Sequence, residues 1–263
     1  VNGAYNKNKV GSIPNKDGII HGATGMIYNN SQECYRAENG QPIGYFWGYR
    51  TAGIFQNQQQ IDEWVAAGNG ILQPNVGPGD LIYVDLNHDG KIDENDKTNI
   101  GNGMPKWTYG FNLNLYYKNF DFGLVASGAA GYQILQSYRG PDGVKSNYTT
   151  RILDRWTGEG TSNSMPRVLN SDANWQFSDL YLQDGDYLRL SNLTIGYNFA
   201  PLMNQKWCSQ ARLYFQVQNL YTFTKYDGMD PEIGYGTADW VSGIDVGFYP
   251  RPRTFLFGVN LSF

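Results

Sequence analysis

The stretch DLNHDGKIDEND, residues 85–96, holds the densest chemistry in this chain. Asp85, Asn87 and Asp89 alternate with other residues, Gly90 follows, and Asp93 and Asp96 come later, matching the calcium-loop pattern D-x-[DN]-x-[DN]-G. Acidic side chains at alternating positions on a tightly turning backbone gather hard oxygens around one point, and hard oxygens suit Ca²⁺. Asp85, Asn87 and Asp89 take the first three ligand positions and Gly90 makes the sharp turn. Lys91 offers its carbonyl, and Asp93 serves directly or through water. Asp96 stands where an EF-hand has a bidentate Glu, so its shorter reach predicts weaker coordination or an added water. Ile92 is expected to point into apolar packing and His88 outward. GDLIYV before the loop reads as a strand, so this is an isolated calcium loop with a structural role, not a regulatory helical pair. A solvated acidic turn is the plainer alternative.

No catalytic constellation accompanies it. The two histidines, His21 and His88, lie in neither a G-x-S-x-G nor an H-E-x-x-H context, and the chain is expected not to be an enzyme. Cys34 and Cys208 match no metal or redox spacing; two independent thiols and a disulfide both remain open. The net charge of −4 leaves no basic footprint for nucleic acid.

The elements around the loop follow from composition and period. Aromatics make up 15% of residues, with 20 Tyr and 32 Gly, while only 17% are charged, a mixture that favours strands and turns. No run approaches the roughly 18 apolar residues of a membrane helix. The mean hydropathy of −0.50 does not exclude a membrane, because barrel strands alternate lipid-facing with lumen-facing residues. In WTYGFNLNLYYK, Trp107, Tyr109, Phe111, Leu113, Leu115 and Tyr117 oppose Thr108, Gly110, Asn112, Asn114 and Tyr116. FDFGLVASGAAG repeats the alternation after Lys118 and Asn119, which predicts a tight hairpin. YLRLSNLTIGYNF, ARLYFQVQNLYTFT and RTFLFGVNLSF alternate likewise. Each run is as long as the roughly 9–11 residues a tilted strand needs to cross a bilayer. Trp107, Tyr117, Tyr197 and Phe263, near strand ends, suit interfacial girdles.

Turns at 118–119 and about 200–210 are short, while the connections 132–185 and 225–252 are long, the lopsidedness of a bacterial barrel. With the last strand running inward, every long connection, 57–106 included, falls outside the cell. Residues 1–6 read as a strand tail and 33–50 as a plausible outward strand. The expected fold is all-β: about six or seven strands of a larger antiparallel transmembrane barrel, since a membrane sheet must close and single-chain bacterial barrels start at eight strands. The outer loops carry Tyr138, Tyr148, Trp156, Trp175, Tyr235 and Trp240, which together predict a polar and aromatic vestibule. The alternative is a secreted, calcium-dependent glycan- or protein-binding β-sandwich.

The stretches YNKNKV (5–10), QPIGYFWGYRTAGIFQ (41–56), GDLIYVDLNHDGKIDENDKTNIGNGMPKWTYGFNLNLYYKNFDF (79–122), LQDGDYLRLSNLTIGYNF (182–199), QNLYTFTKYDGMDPEI (218–233) and YPRPRTFLFGVNLSF (249–263) carry a resemblance. In that combination and order the chain resembles the C-terminal region of SusC-like (SusC/RagA) TonB-dependent transporters of Bacteroidota outer membranes. The resemblance implies a barrel of about 22 strands plugged by an N-terminal domain. It also implies energy from the TonB system, a SusD-like lipoprotein over the extracellular loops, and oligosaccharide or peptide substrates. Residues 1–263 then form the C-terminal part of that barrel, with 79–106 an extracellular loop carrying the calcium motif. Plug, TonB box and signal peptide are not visible in these residues. Phe263 on an alternating final strand resembles a barrel-assembly signal, which makes truncation an N-terminal event.

Overall fold

The computed structural model describes residues 1–27, 32–137, 150–169, 173–203, 210–233 and 240–262. Its largest element is a six-stranded antiparallel sheet in the order Asn2–Tyr5, Trp107–Tyr117, Phe120–Ala130, Tyr187–Asn198, Gln210–Thr224, Thr254–Ser262. The five long runs of period two become five long strands, and the start of the chain adds a short sixth. Two residues, Lys118 and Asn119, close the predicted hairpin from the pair Tyr117↔Phe120, with Lys118 in the left-handed region at φ 53°.

Register decides which side chains share a face. Leu113 pairs with Leu124, Leu124 with Leu193, Leu193 with Val217, and Val217 with Phe255. The apolar halves of the five long strands therefore merge into one continuous face. The other face aligns Asn112, Val125, Asn192, Gln218 and Thr254 and is mainly polar.

One feature of this sheet does not follow from simple alternation. Strand Tyr187–Asn198 shifts register between Leu190 and Asn192, and opposite it Asn219 turns left-handed at φ 51°. The bulge puts Leu188 and Leu190 on the same face as Leu193 and Ile195, although their numbering has opposite parity. Across the polar face, Arg212 reaches over strand Tyr187–Asn198 to Asp121 (Nε to Oδ1, 2.8 Å). The bridge crosses Gly196, where a Cβ would overlap both side chains.

The apolar face has no cover. Phe257 is 79% exposed and Phe255, Val259 and Leu261 are all more than half exposed, while the buried clusters consist almost wholly of residues outside the sheet. A sandwich would press a second sheet onto this face, and none does so among the described residues.

The long connections fold together into a second body with its own core. Ile19–His21, Tyr35–Glu38, Tyr45–Tyr49 and Lys97–Asn102 form a four-stranded sheet. Leu182–Asp184, Gln133–Gln136 and Ile244–Asp245 form a three-stranded one, and Thr51–Ile54 pairs with Leu81–Tyr83. The expectation of one outward strand over 33–50 is thereby corrected. Those residues make a hairpin, Tyr35–Glu38 against Tyr45–Tyr49, inside the loop-built sheet. Tyr35, Phe46, Leu135, Phe177 and Ile244, from five segments far apart in sequence, meet in its core.

Cys34 lies in the same core as a free thiol with no exposed surface. Burial, reinforced by the nearby Glu33 carboxylate, pushes it up to about 12. The reactive thiolate is thus suppressed at neutral pH. We expect maleimide to leave Cys34 unlabelled in the folded protein and to label it rapidly in denaturant. Equal labelling rates in both states would contradict the burial. Cys208 lies outside the described residues.

Candidate functional site

Strand Leu81–Tyr83 leads into the acidic loop, and the short 3-10 turn Glu94–Asp96 closes it. His88 (φ 60°) and Gly90 (φ 80°) bend the backbone through left-handed conformations. Asp85, 1% exposed, accepts the N–H of His88 on Oδ1 at 2.7 Å and those of Gly90 and Gly70 on Oδ2 at 2.9 and 3.3 Å. Burial works to raise its pKa, but the N–H groups of Gly90, His88 and Gly70 outweigh it and hold the carboxyl below the usual range. Asp96, fully buried, accepts Leu86 N–H at 2.8 Å and Asn87 N–H at 3.4 Å on one oxygen and Asp93 N–H at 2.9 Å on the other.

Nearer the surface, Asp89 accepts the Lys91 N–H at 2.9 Å and the Asn87 amide at 3.1 Å, and Asp93 caps Asn95 at 2.8 Å. Ile92 packs against Tyr49, Ile54, Leu81 and Tyr83, and His88 is exposed, as the spacing predicts.

The residue types and order from which a cation site was expected are all present in the loop. Its carboxylates, however, turn toward backbone donors. A carboxylate has about four lone-pair directions, and Asp85 and Asp96 each spend three on N–H groups. Among the described residues no group of three or more His, Cys, Asp or Glu side chains converges closely enough to hold a metal ion. As it stands, the loop is a hydrogen-bonded clasp that ties the segment around Gly70 to the strand at 81–83.

The aromatic residues expected to line a vestibule behave differently. Trp240 stacks edge-on with buried Tyr35 at 5.1 Å, Trp175 packs on the main core, and Trp156 packs on the cluster around Leu81. These three build the loop body. Tyr138, Tyr148 and Tyr235 lie outside the described residues. Of the girdle candidates, Trp107 and Tyr117 are exposed at the two ends of their strand, at 52% and 70%, and Tyr197 meets Phe120 at 4.6 Å. Phe263 lies outside the described residues.

The structure is mostly β, an open two-faced antiparallel wall joined to a body folded from its own long connections. The chain is 33% identical over 270 residues to TonB-dependent receptor P3 of Formosa agariphila, covering 100% of this chain and 26% of the relative. It is 29% identical over 237 residues to TonB-dependent receptor SusC of Bacteroides thetaiotaomicron, covering 87% of this chain and 21% of the relative. No family profile matches. A solved structure of the RagAB peptide transporter superposes with a TM-score of 0.71 at 22% identity, over 98% of this chain and 26% of that one. This chain is homologous to the SusC/RagA-family TonB-dependent receptors and spans about a quarter of the length of those it matches. TonB-dependent transporters are not enzymes, so the homology brings no catalytic activity with it.

Proposed function

We propose that this chain supplies the last strands and part of the extracellular surface of an outer-membrane TonB-dependent active transporter. In this reading the sheet closes with upstream strands into a barrel of about 22 strands around an N-terminal plug. The observation that carries the reading is the apolar face of the sheet, continuous across five strands and open at Phe257, Phe255, Val259 and Leu261. In water such a face is an aggregation hazard, whereas in hydrocarbon it is the required surface. The opposite, mainly polar face then lines the lumen. Oligosaccharides or peptides are the proposed cargo, and a SusD-like surface lipoprotein the proposed lid. The likeness to the RagAB peptide importer supports the peptide cargo and the surface partner, while the oligosaccharide cargo rests on the resemblance read from the sequence.

Extraction from source membranes tests this. The polypeptide carrying these residues should require detergent and have a mass several times 29.6 kDa. A stable, water-soluble species of that smaller mass would overturn the reading.

Calcium at residues 85–96 is a separate proposal, supported by residue type and spacing. Binding requires Asn87 and Asp89 to exchange their mutual hydrogen bond, and Asp85 and Asp96 some backbone N–H groups, for the cation. The variant Asp85→Ala with Asp89→Ala should lose the bound calcium seen by elemental analysis of the parent protein. It should also loosen 79–106 in hydrogen exchange while the long strands stay protected. Unchanged metal content in that variant would refute the site.

A further inference from the structure

Toward the loop body, the apolar face of the wall ends in an open depression of about 460 Å³. Tyr109, Gly128, Leu188 and Phe223 share a register row there, two residues beyond the row of Phe111, Ala126, Leu190 and Tyr221. Tyr109 leans across Gly128, where a Cβ would overlap its ring, and donates its hydroxyl to the Tyr187 carbonyl at 2.8 Å. Tyr221 and Phe223 meet edge to face at 4.7 Å. Tyr109, Tyr221 and Phe223 line the depression and stay accessible, at 38%, 52% and 52% exposure.

Three charged residues share the lining: Lys225, Asp184 and Asp186. Lys225 is exposed, and its ammonium has no partner among the described residues. Asp186 gives one oxygen to the Gly131 N–H at 2.7 Å and Asp184 gives one to the Asp186 N–H at 3.0 Å. Each carboxylate keeps its second oxygen free. One cation, two half-used carboxylates and three exposed rings thus border the surface assigned to lipid.

We propose that this depression holds the headgroup of a phospholipid bearing phosphoethanolamine. An ammonium with three donors suits the two free carboxylate oxygens and the faces of the tyrosine rings. The phosphate of the same headgroup suits Lys225. A purely anionic headgroup would meet two carboxylates for one cation, and a purely cationic ligand would leave Lys225 unmatched. Tyrosines at headgroup level, with continuous apolar surface below them, favour a lipid over a water-soluble partner. Down the strands from Tyr221, that surface runs on through Leu193, Val217, Ile195 and Phe215, where acyl chains would lie. The inference goes beyond import and rests on the reading above only for its outer-membrane setting.

The test is native mass spectrometry of the full-length, detergent-purified protein, titrated with dioleoyl phosphatidylethanolamine or dioleoyl phosphatidylglycerol. Phosphatidylethanolamine should bind about tenfold or more tightly than phosphatidylglycerol. Asp184→Asn with Asp186→Asn should bring the two lipids level, while Lys225→Gln should weaken both severalfold. Lys118→Gln, in the hairpin at the opposite end of the wall, should change neither. Should the double variant fail to fold, Lys225→Gln still reads the depression. Equal affinities in the parent, a preference for phosphatidylglycerol, a preference that survives the double variant, or binding untouched by Lys225→Gln would each overturn the proposal. Solubility without detergent sinks the outer-membrane reading, whereas detergent dependence with no phosphoethanolamine preference sinks the depression alone.

Discussion

Replacing Phe257 by arginine will cost the folded wall about 2–4 kcal/mol, because the residue sits mid-strand on the face assigned to lipid. Phe257 packs on Phe215 of the neighbouring strand at 4.7 Å and is otherwise open. On a soluble domain an arginine at a site 79% exposed would be harmless or even helpful. At the bilayer midplane it brings a charge into hydrocarbon, and assembly into the outer membrane should fall sharply. Asn260→Arg, on the opposite face of the same strand, is the control and should assemble almost normally. The measure is the heat-modifiable, folded fraction in outer-membrane preparations. Equal yields for the two variants would remove the lipid assignment of that face.

The second large effect lies in the loop body. Asp80 has no exposed surface, yet its carboxylate accepts four donors: Arg167 Nε and Nη2 at 2.7 and 2.8 Å, the Asn174 amide at 2.9 Å and Gly77 N–H at 2.8 Å. Asn174 in turn accepts Leu81 N–H at 3.0 Å and Gln73 at 3.2 Å, so one acid organises the strand that enters the acidic loop. Asp80→Ala strands the Arg167 guanidinium and two further buried donors. Removing one partner of a buried pair costs about 3–5 kcal/mol, and the 29% exposure of Arg167 places this case toward the lower end. Limited proteolysis should then cut within 50–84 and 156–177 while the long strands resist. Asp80→Ala combined with Arg167→Met should recover part of the loss. Full resistance of the single variant would contradict the argument.

The sequence made the wall readable because period two is a local signal. Trp107–Tyr117 and Thr254–Ser262 could each be assigned to faces without reference to any neighbour. It concealed the bulge beside Ser191, since a parity shift in one strand only has meaning against the register of the two beside it. The loop body was hidden for a stronger reason. Its strands are two to six residues long, and its core joins Ile27, Phe46, Leu135 and Phe177, contacts that no pattern along the chain announces. Trp175 and Trp240 were visible as loop aromatics, but only packing shows that they hold the body together.

The acidic loop divides the same way. The turn at Gly90 and the inward Ile92 were legible from spacing. The role of Asp85 and Asp96 as backbone clamps was not, because the Gly70 N–H that Asp85 binds comes from a separate segment.

The claim that matters most is that the sheet separates lipid from lumen. Single nitroxide labels at each position from 255 to 261, in the full-length protein with Cys34 and Cys208 replaced by serine, test it in native outer-membrane vesicles. Oxygen, concentrated in lipid, should relax labels at Phe255, Phe257, Val259 and Leu261, while a water-soluble nickel chelate should reach those at Leu256, Gly258 and Asn260. An alternating profile of this phase is the predicted result. A uniform, chelate-accessible profile along the strand would contradict the account.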